Sequence, residues 1–258
     1  MKFGLFLAVW ENPDVGMPQK VMLDHVAEYV IEADQLGYDS VFLTEHHFTG
    51  LPQIPSSLTI LSNFAARTKN IRLGTGVTIL PWHNPLLVLE QVATIDLLSN
   101  GRFDFGVGRG FRHSECIGFD IPGSELQARF DEAMEIFALA WNSEGRFSFK
   151  GRFWTFNDAM IDPKSLQLPH VPVWVSADST DSIKRVADQN YNLMLAQFAK
   201  AEDVGKKIAT FREQTEANGR VYDPHRLLVV RSFHIADTEE EAEAARERAE
   251  RVHTNHAS

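Results

Sequence analysis

The stretch "SVFLTEHHFTG", residues 40–50, begins as an apolar run and ends in a carboxylate, two imidazoles and an aromatic ring. Its apolar half does not alternate with polar residues, which is typical of a strand buried on both faces of a parallel sheet. Similar runs recur along the chain, namely "KFGLFLAV", "IRLGTGVTIL", "RFDFGVG", "VPVWVSA", "NLMLAQ" and "LLVVRSFHIA". Longer amphipathic segments separate these runs, so the sequence predicts a parallel sheet covered by helices.

Helix start and stop signals divide the chain into seven βα units. The first three predicted helices run from Lys20 to Leu36 before Gly37, from about Pro55 to Arg67, and from about Pro85 to Leu98. The fourth opens at Ser124 with Gln127 as its capping-box partner, and the last has Thr238 and Glu241 at the same spacing. The stretch "GRFSFKGRFWTFND" alternates about Lys150-Gly151 and predicts a β-hairpin insertion. No eighth strand is visible in the sequence.

Polar side chains follow strand after strand at its C-terminal end. They are Glu45-His46-His47, Thr75-Gly76, Arg109, Asp178-Ser179, Gln197 and His234. An open doubly wound sheet concentrates its site at one switch point, whereas a barrel collects all strand ends around one mouth. We therefore expect a TIM-type (β/α)8 barrel with seven visible units, built as a single domain over residues 1–258 with the hairpin insertion at 142–170. Without an eighth unit, the barrel is open at a seam, covered there by a partner, or part of a longer protein.

Composition narrows the classes of function. The 258 residues carry 25 Lys and Arg against 35 Asp and Glu, and this net charge of −10 argues against a nucleic-acid partner. No apolar run is long enough to span a membrane and no signal-peptide cleavage site follows the N-terminus, so we expect a cytoplasmic protein with no membrane contact. The single cysteine, Cys116, excludes an internal disulfide and is expected to be a buried small hydrophobe.

The adjacent imidazoles of His46 and His47 admit three interpretations. Neighbouring side chains of an extended strand point in opposite directions, which disfavours shared ligation of a metal ion, even with His83, His113 or His234 nearby. A histidine at a strand end can instead be satisfied by a hydrogen bond in the core. The third interpretation, a general acid or base, is favoured because imidazole titrates near neutral pH, and no metal site is predicted.

Two further segments indicate how a ligand could be held. In "RFDFGVGRGF", residues 102–111, glycines permit close approach to the backbone and Arg109 offers a planar fork for an oxyanion, although the spacing does not match a dinucleotide fingerprint. Ser179, Thr180 and Ser182 crowd a helix start, where free N–H groups favour an anion. Tight strand packing and ordinary N-capping are the alternatives for these segments. In combination, Arg109 and the hydroxyl groups predict a phosphate site. Gly74 and Gly76, within a β-branched strand, indicate room for a flat ligand across the mouth.

In combination, these segments resemble the bacterial luciferase-like family of flavin-dependent monooxygenases. The matching pieces are "MKFGLFL", "GYDSVFLTEHHFTG", "RTKNIRLGTGVTILPWHNPLLVLEQVATIDLLSNGRFDFGVGRGF" and "VPVWVSADSTDS". They follow one another at near-constant spacing from the first residue to about residue 195. Only "EHHF" and "LSNGRFDFGVGRG" are diagnostic individually.

The resemblance implies an FMN cofactor whose ring lies over the strand ends. The residues implied to line the ring are Glu45, Thr75, Gly76, Val77, Gly108, Gly110 and Phe111. The resemblance also implies a phosphate group held by Arg109, Ser179 and Ser182 with Asp178 beside it, and a cis peptide bond at Gly76-Val77. In the family the first histidine of the pair is catalytic, so His46 inherits that role.

The resemblance further implies a reaction and its partners. Reduced FMN would come from a separate NAD(P)H-dependent reductase, and one oxygen atom would pass through a flavin peroxide to a small, largely apolar substrate. The peroxide must be kept from water, and the rings expected near the mouth are Phe6, Trp10, Phe42, Phe48, Trp82, Phe105 and Phe111. The family commonly forms dimers, so we expect a homodimer.

Some positions depart from the family pattern. Gly108 stands where luciferase carries a cysteine, and Asp178 replaces a glutamate, so light emission from an aldehyde is not implied. Beyond about residue 237 the chain does not show the family's final strand and helix. The alternatives are a non-catalytic flavin-binding relative, a deazaflavin-dependent oxidoreductase of the same fold, and a metal hydrolase that uses His46.

Overall fold

The protein is built around a curled parallel sheet with helices on its outer face. The computed structural model describes residues 1–8, 18–48, 53–196 and 200–256, with side chains of the last helix up to residue 248. The strands are β1 (Gly4–Leu7), β2 (Ser40–Leu43), β3 (Arg72–Thr75), β4 (Thr78–Ile79), β5 (Phe103–Gly108), β6 (Phe147–Lys150), β7 (Thr155–Ala159), β8 (Val173–Ser176), β9 (Asn192–Leu195) and β10 (Leu227–Val229).

Eight α-helices lie in the described part of the chain. They are α1 (Gln19–Leu36), α2 (Ser57–Arg67), α3 (Pro85–Leu98), α4 (His113–Gly118), α5 (Leu126–Asn142), α6 (Thr180–Asp188), α7 (Ala201–Ala217) and α8 (Glu239–His256). The predicted bounds of α2 and α3 agree with these to within two residues. As predicted, α1 ends where Gly37 adopts a left-handed conformation, with φ of 83°.

The strand order confirms seven βα units. Parallel neighbours run in the order β1-β2-β3-β5-β8-β9-β10, and β4 continues the third strand beside β5. Within the described residues, β1 and β10 each pair with one neighbour only, so they form the two edges of an open seam. The described residues therefore form seven units of a TIM-type barrel, with the sheet curled but not closed.

The two faces of the sheet bury different side chains. Alternate residues such as Val41, Leu73 and Phe105 point outward and join the apolar core under the helices. On the inner face, the Phe42 ring meets the Trp174 ring edge-on, with centroids 6.0 Å apart. The Phe42 ring also fills the space that a side chain at Gly74 would need.

A buried ion pair lies on the inner face below these rings. The Arg72 guanidinium donates from Nε to Asp104 Oδ2 at 2.6 Å, and the Trp174 indole donates to Asp104 Oδ1 at 3.0 Å. Burial raises the pKa of Asp104, and Arg72 offsets only part of this effect. Arg72 also binds Phe103 and Gln167, so the network ties β3, β5, β8 and the loop before β8 together.

The third strand changes register beside β5. Leu73 and Gly74 pair with Phe103 and Asp104, while Thr78 and Ile79 pair with Val107 and Gly108. Three residues, 75–77, therefore face the two residues 105–106, which is a one-residue bulge. The peptide bond Gly76-Val77 lies in this bulge and is cis, which confirms the expectation from the family resemblance.

The Thr75 hydroxyl takes the place of a backbone partner at the bulge. It accepts a hydrogen bond from Gly106 N at 2.9 Å and donates one to Gly106 O at 2.7 Å. Both backbone groups of Gly106 are thus satisfied although the ladder is interrupted.

The predicted hairpin is present as the antiparallel pair β6 and β7. Its turn is attached to α5 by Glu132, whose carboxylate accepts hydrogen bonds from the backbone N–H groups of Arg152, Phe153 and Trp154. The extent of the insertion, 142–170, and the single domain over 1–258 remain predictions.

Three predictions about individual elements were wrong. A 3-10 turn occupies Gly123–Glu125, so Ser124 does not open a helix, and α5 begins at Leu126 with no side-chain cap. The fourth unit was predicted with a single helix, but the short helix α4 precedes α5. The last strand, predicted over 227–236, ends at Val229, opposite the last residue of its neighbour β9.

The predicted capping contact of the last helix is confirmed in part. Thr238 Oγ1 accepts a hydrogen bond from Glu241 N at 3.2 Å, and the Glu241 carboxylate accepts one from Asp237 N at 3.0 Å. The carboxylate thus reaches the residue before the one that a capping box uses.

Candidate active site

His46 follows β2 at the C-terminal mouth of the sheet and is bound to a carboxylate from α4. Its Nδ1 lies 3.0 Å from Glu115 Oε1, and the His47 backbone N–H donates to the same oxygen at 3.2 Å. Glu115 is fully buried, and its other oxygen, Oε2, has no hydrogen-bond partner among the described residues. The carboxylate therefore orients both the ring of His46 and the chain that follows it.

A second carboxylate, Glu45, holds the other imidazoles of this region. Its Oε1 lies 3.0 Å from His47 Nε2 and 2.7 Å from His83 Nε2. Burial raises the pKa of Glu45, but the hydrogen bonds from His47 and His83 outweigh burial, so the net pKa is lowered. Glu45 was expected to line the flavin, and the structure instead directs its carboxylate to these two rings.

The two imidazoles of the pair therefore diverge, as their adjacency on a strand predicted. His46 contacts Glu115 and His47 contacts Glu45. No group of three or more His, Cys, Asp or Glu in the described ranges has the arrangement needed to hold a metal ion.

An aromatic cluster lies beside the histidines. Phe119 stacks on Trp82 with ring centroids 5.0 Å apart and also contacts the Phe48 and His47 rings, at 4.8 and 5.0 Å. The indole N–H of Trp82 is buried and has no hydrogen-bond partner within the described chain. These rings give the histidine side of the mouth an apolar wall.

The other predicted rings are distributed differently. Phe6 and Phe42 lie on the inner face of the sheet, since they fill the spaces beside Gly76 and Gly74. Phe105 was expected at the mouth, but it packs outward against Phe137, because alternate residues of a strand face opposite sides. Phe111 is at the mouth and largely exposed, whereas Trp10 lies outside the described residues.

The glycines of the mouth are explained largely by packing within the chain. The Val77 side chain occupies the space beside Gly108, and the Thr75 carbonyl lies against Gly106. Thr75 itself is fully buried and bound to Gly106, so its side chain does not face a ligand. Gly110 has φ of 75° beside Ile79 and Trp82, a conformation and a close approach that favour glycine. Tight packing, one of the two interpretations offered for these glycines, is the one that the structure supports.

The predicted phosphate residues lie on neighbouring strands. Arg109 follows β5 and is exposed, and Ser179 follows β8, which pairs with β5. Ser179 caps α6, since its Oγ accepts from Ser182 N at 3.3 Å, and its hydroxyl also contacts the Ser182 hydroxyl at 2.9 Å. Ordinary N-capping therefore engages both serines, while Arg109 extends from the adjoining strand end.

Three more predicted residues lie elsewhere or outside the described chain. The Asp178 carboxylate forms an ion pair with Lys207 on α7. His234 is exposed and follows the end of β10 by five residues. Gln197 is outside the described residues.

Sequence reasoning missed Glu115 and Phe119. Both lie in "RHSECIGFD", which has no apolar run and no motif, so no local signal distinguished them from exposed loop residues. Cys116, the next residue after Glu115, is a buried free thiol as expected.

Among the described residues, no helix is both long and apolar enough to cross a membrane.

Comparisons with known proteins identify relatives of the chain. The chain is 28% identical over 247 residues to the oxygenase component of a flavin-dependent trigonelline monooxygenase from Acinetobacter baylyi, a match that covers 95% of this chain and 68% of the relative. Two further curated relatives, both uncharacterized proteins of Sinorhizobium fredii, are covered over only 60% and 46% of their lengths. The chain therefore spans about half to two thirds of the length of these relatives.

Solved structures share the fold. Monooxygenase RslO1 from Streptomyces bottropensis matches with a TM-score of 0.90 and 29% identity, covering 99% of this chain and 79% of that one. The oxygenating constituent of 3,6-diketocamphane monooxygenase from Pseudomonas putida, a type II Baeyer-Villiger monooxygenase in complex with FMN, matches with a TM-score of 0.81 and 20% identity, covering 95% and 71%. The model of the luciferase-like monooxygenase family matches residues 1–257, and the chain therefore belongs to that family.

Proposed function

We propose that the chain is the oxygenase component of a two-component monooxygenase that uses reduced FMN and oxygen to oxidise a small, largely apolar organic substrate. The observation that carries the proposal is His46 at the strand-end mouth, oriented by the buried Glu115 and bordered by the ring cluster. Membership of the family and the flavin named for the trigonelline relative support the same assignment.

The residues at the mouth fit a flavin phosphate. Arg109 supplies an exposed guanidinium, and Ser179 and Ser182 supply hydroxyl groups at the start of α6 on the adjoining strand. A cation beside a helix N-terminus matches the charge of a phosphate. We propose that these three residues hold the phosphate and that residues 76–77 and 108–111 lie along the flavin ring. FMN rather than a deazaflavin is part of this proposal, supported by the flavin dependence named for the trigonelline relative.

Bound reduced flavin supplies the electrons that activate oxygen. The chain supplies orientation, exclusion of water and a proton-handling group. With Nδ1 directed at Glu115, His46 holds or moves a proton at Nε2. Phe48, Trp82 and Phe119 restrict water on the histidine side, where stray water would divert the reaction.

Two partners belong to the proposal. A separate NAD(P)H-dependent reductase would deliver reduced FMN, in agreement with the words "oxygenase component" in the name of the trigonelline relative. A homodimer remains a prediction, and analytical ultracentrifugation of the purified chain would test it.

The test combines reconstitution with a substitution. The purified chain is loaded with FMN or with a deazaflavin, reduced, and mixed with oxygen, while flavin oxidation and hydrogen peroxide are followed by stopped-flow spectroscopy. We expect FMN to be the effective cofactor. We also expect His46→Ala to bind FMN nearly as well as the unmodified chain and to release hydrogen peroxide several-fold faster.

The matched control is His225→Ala, which removes an exposed imidazole in the turn before β10, at the other end of the sheet. An unchanged peroxide rate in His46→Ala would contradict the role of His46. Tight FMN binding without product from any apolar substrate tested would favour a flavin-storage protein. Reaction with the deazaflavin alone would favour that class of oxidoreductase, and a stoichiometric metal in the purified chain would favour the hydrolase.

A further inference from the structure

We infer that Glu115 is a positioning residue for His46, which sets the nitrogen that carries the imidazole proton and the direction in which the ring faces the mouth. This inference rests on the proposed function for its consequence in the reaction, but its geometric part concerns the protein alone. Glu115 does not belong to the set of residues that the sequence indicated.

The burial of Glu115 is the first argument. The residue lies on the short helix α4 between the exposed Ser114 and the buried Cys116, and its side chain is 0% exposed. Burying a carboxylate is costly unless it is paired, and a buried carboxylate is ordinarily held by Lys or Arg. In the described ranges, the side-chain partners of Glu115 are His46 Nδ1 and the His47 backbone N–H, with no Lys or Arg among them. Among the described residues, the carboxylate therefore binds the His46 ring and the His47 backbone in place of a Lys or Arg side chain.

The use of a single oxygen is the second argument. Oε1 receives both hydrogen bonds, at 3.0 and 3.2 Å, while Oε2 is buried with no hydrogen-bond partner among the described residues. A side chain that served only to connect α4 to the end of β2 would gain from using both oxygens. Here a single oxygen binds both the ring nitrogen and the adjacent backbone N–H. These two contacts fix the position and the rotation of the imidazole.

The chemistry of imidazole gives the consequence. In neutral histidine one ring nitrogen is a donor and the other an acceptor, and the bond made by one nitrogen determines the state of the other. Because Nδ1 faces a carboxylate oxygen, the neutral ring carries its proton at Nδ1, and Nε2 is the basic nitrogen. At metal sites, the loss of a partner that orients a histidine in this way lowers activity on the order of ten-fold.

The neighbouring carboxylate shows that this arrangement is specific to His46. Glu45 binds the rings of His47 and His83 and makes no contact of this kind with His46 in the described structure. Each of the two adjacent imidazoles therefore has its own acidic partner, and removing one partner should leave the other imidazole unaffected.

The first experiment reads the tautomer without any cofactor. Nitrogen-15 NMR of the histidine-labelled chain distinguishes Nδ1–H from Nε2–H rings. We expect His46 to be an Nδ1–H ring in the unmodified chain, to lose that preference in Glu115→Ala, and to keep it in Glu45→Gln. A His46 tautomer that is unchanged in Glu115→Ala would overturn the inference.

The second experiment measures the rate of hydrogen peroxide release when the chain with bound reduced FMN reacts with oxygen. We expect Glu115→Ala to raise the rate of hydrogen peroxide release on the order of ten-fold. We expect the double variant Glu115→Ala, His46→Ala to be no faster than His46→Ala alone, because the carboxylate acts through the ring. Multiplicative effects of the two substitutions would show that Glu115 acts independently of His46.

Glu115→Gln covers the case in which Glu115→Ala fails to fold. The amide keeps the size and one acceptor oxygen, but it also offers N–H donors that a carboxylate lacks. We expect Glu115→Gln to weaken the Nδ1–H preference of His46 in the nitrogen-15 spectrum and to raise peroxide release, and we expect no such rise in a His46→Ala background. An unchanged tautomer together with an unchanged peroxide rate in Glu115→Gln would overturn the inference. If the unmodified chain does not react with oxygen through FMN, the proposed function fails, while the NMR result still decides the role of Glu115.

Discussion

At the scale of single residues, the mouth of the sheet separates two neighbouring imidazoles by giving each its own carboxylate. His46 lies against Glu115 and His47 against Glu45, and the peptide between them is attached to Glu115. Two adjacent side chains thus have different surroundings, because a strand directs successive residues to opposite sides. This separation is consistent with the proposal that His46 takes part in the reaction and that His47 has a structural role.

The lowered pKa of Glu45 predicts a contribution to stability that depends on pH. The carboxylate is stabilised in its ionised form, so the contribution is present above its ordinary pKa of 4.5 and is lost as the pH falls below that value. We expect Glu45→Gln to cost about 1–3 kcal/mol near neutral pH and to flatten the loss of stability in acid. Urea denaturation at a series of pH values checks this, and parallel curves for the two proteins would contradict it.

Arg109 provides a prediction on the cofactor side of the mouth. If its guanidinium binds the phosphate, Arg109→Ala should weaken FMN far more than riboflavin, which has the same ring but no phosphate. Arg185→Ala removes an equivalent exposed charge near the other end of α6 and should leave both affinities unchanged. Fluorescence titration of the two flavins checks this, and equal losses would show that Arg109 does not contact the phosphate.

The sequence predicted one half of this site better than the other. The strand-end position of His46 and its divergence from His47 follow from local periodicity alone. Its partner Glu115 lies 69 residues away, and the contact between Glu45 and His83 spans 38 residues, so no spacing rule relates them. The family resemblance supplied the role of His46, but it did not identify the carboxylate behind the ring.

At the scale of elements, the third strand of the sheet consists of two pieces, and their registers against β5 differ by one residue. β3 and β4 pair with β5 on either side of the bulge, and the shift by one residue changes which side chains face the core. The Thr75 hydroxyl bridges the gap by binding both backbone groups of Gly106.

This bridge predicts a large difference between two small substitutions. Thr75→Val keeps the shape but leaves the N–H and C=O of Gly106 buried without partners, so we expect a loss of about 1–3 kcal/mol in the free energy of unfolding. Thr75→Ser keeps the hydroxyl and should lose less. Chemical denaturation compares the two variants, and a loss in Thr75→Val no larger than that in Thr75→Ser would contradict the role of the hydroxyl.

Elements with strong periodicity or clear stop signals were predictable, and those held by tertiary contacts were not. α3 begins and ends as predicted because Pro85 suits the first turn and Asn84 caps it through Leu86 N. α5 begins later than predicted because a 3-10 turn precedes it, and the six residues of α4 are too few to show a period. Glu115, which we propose to position His46, lies on α4.

At the scale of the whole molecule, β5 is the central strand of the sheet, and β1 and β10 are its two edge strands. All six residues of β5 are buried, with β3 and β4 on one side and β8 on the other. The seven-unit sheet with an open seam agrees with the prediction from alternating strands and helices. Long-range closure could not be predicted, since it depends on pairing partners and not on local pattern.

The open seam affects how readily each strand unfolds locally in the native state. Amide groups exchange with solvent through local opening, and segments with a single neighbour open at lower free energy than segments enclosed on both sides. We expect Phe103–Gly108 to be the slowest-exchanging strand, with Gly4–Leu7 and Leu227–Val229 exchanging much faster. Hydrogen–deuterium exchange read by mass spectrometry would reveal this gradient, and equal protection across the seven strands would contradict it. The mouth residues that follow β2 and β5 are then attached to strands that are paired on both sides. Local unfolding is expected mainly at the two edge strands of the sheet.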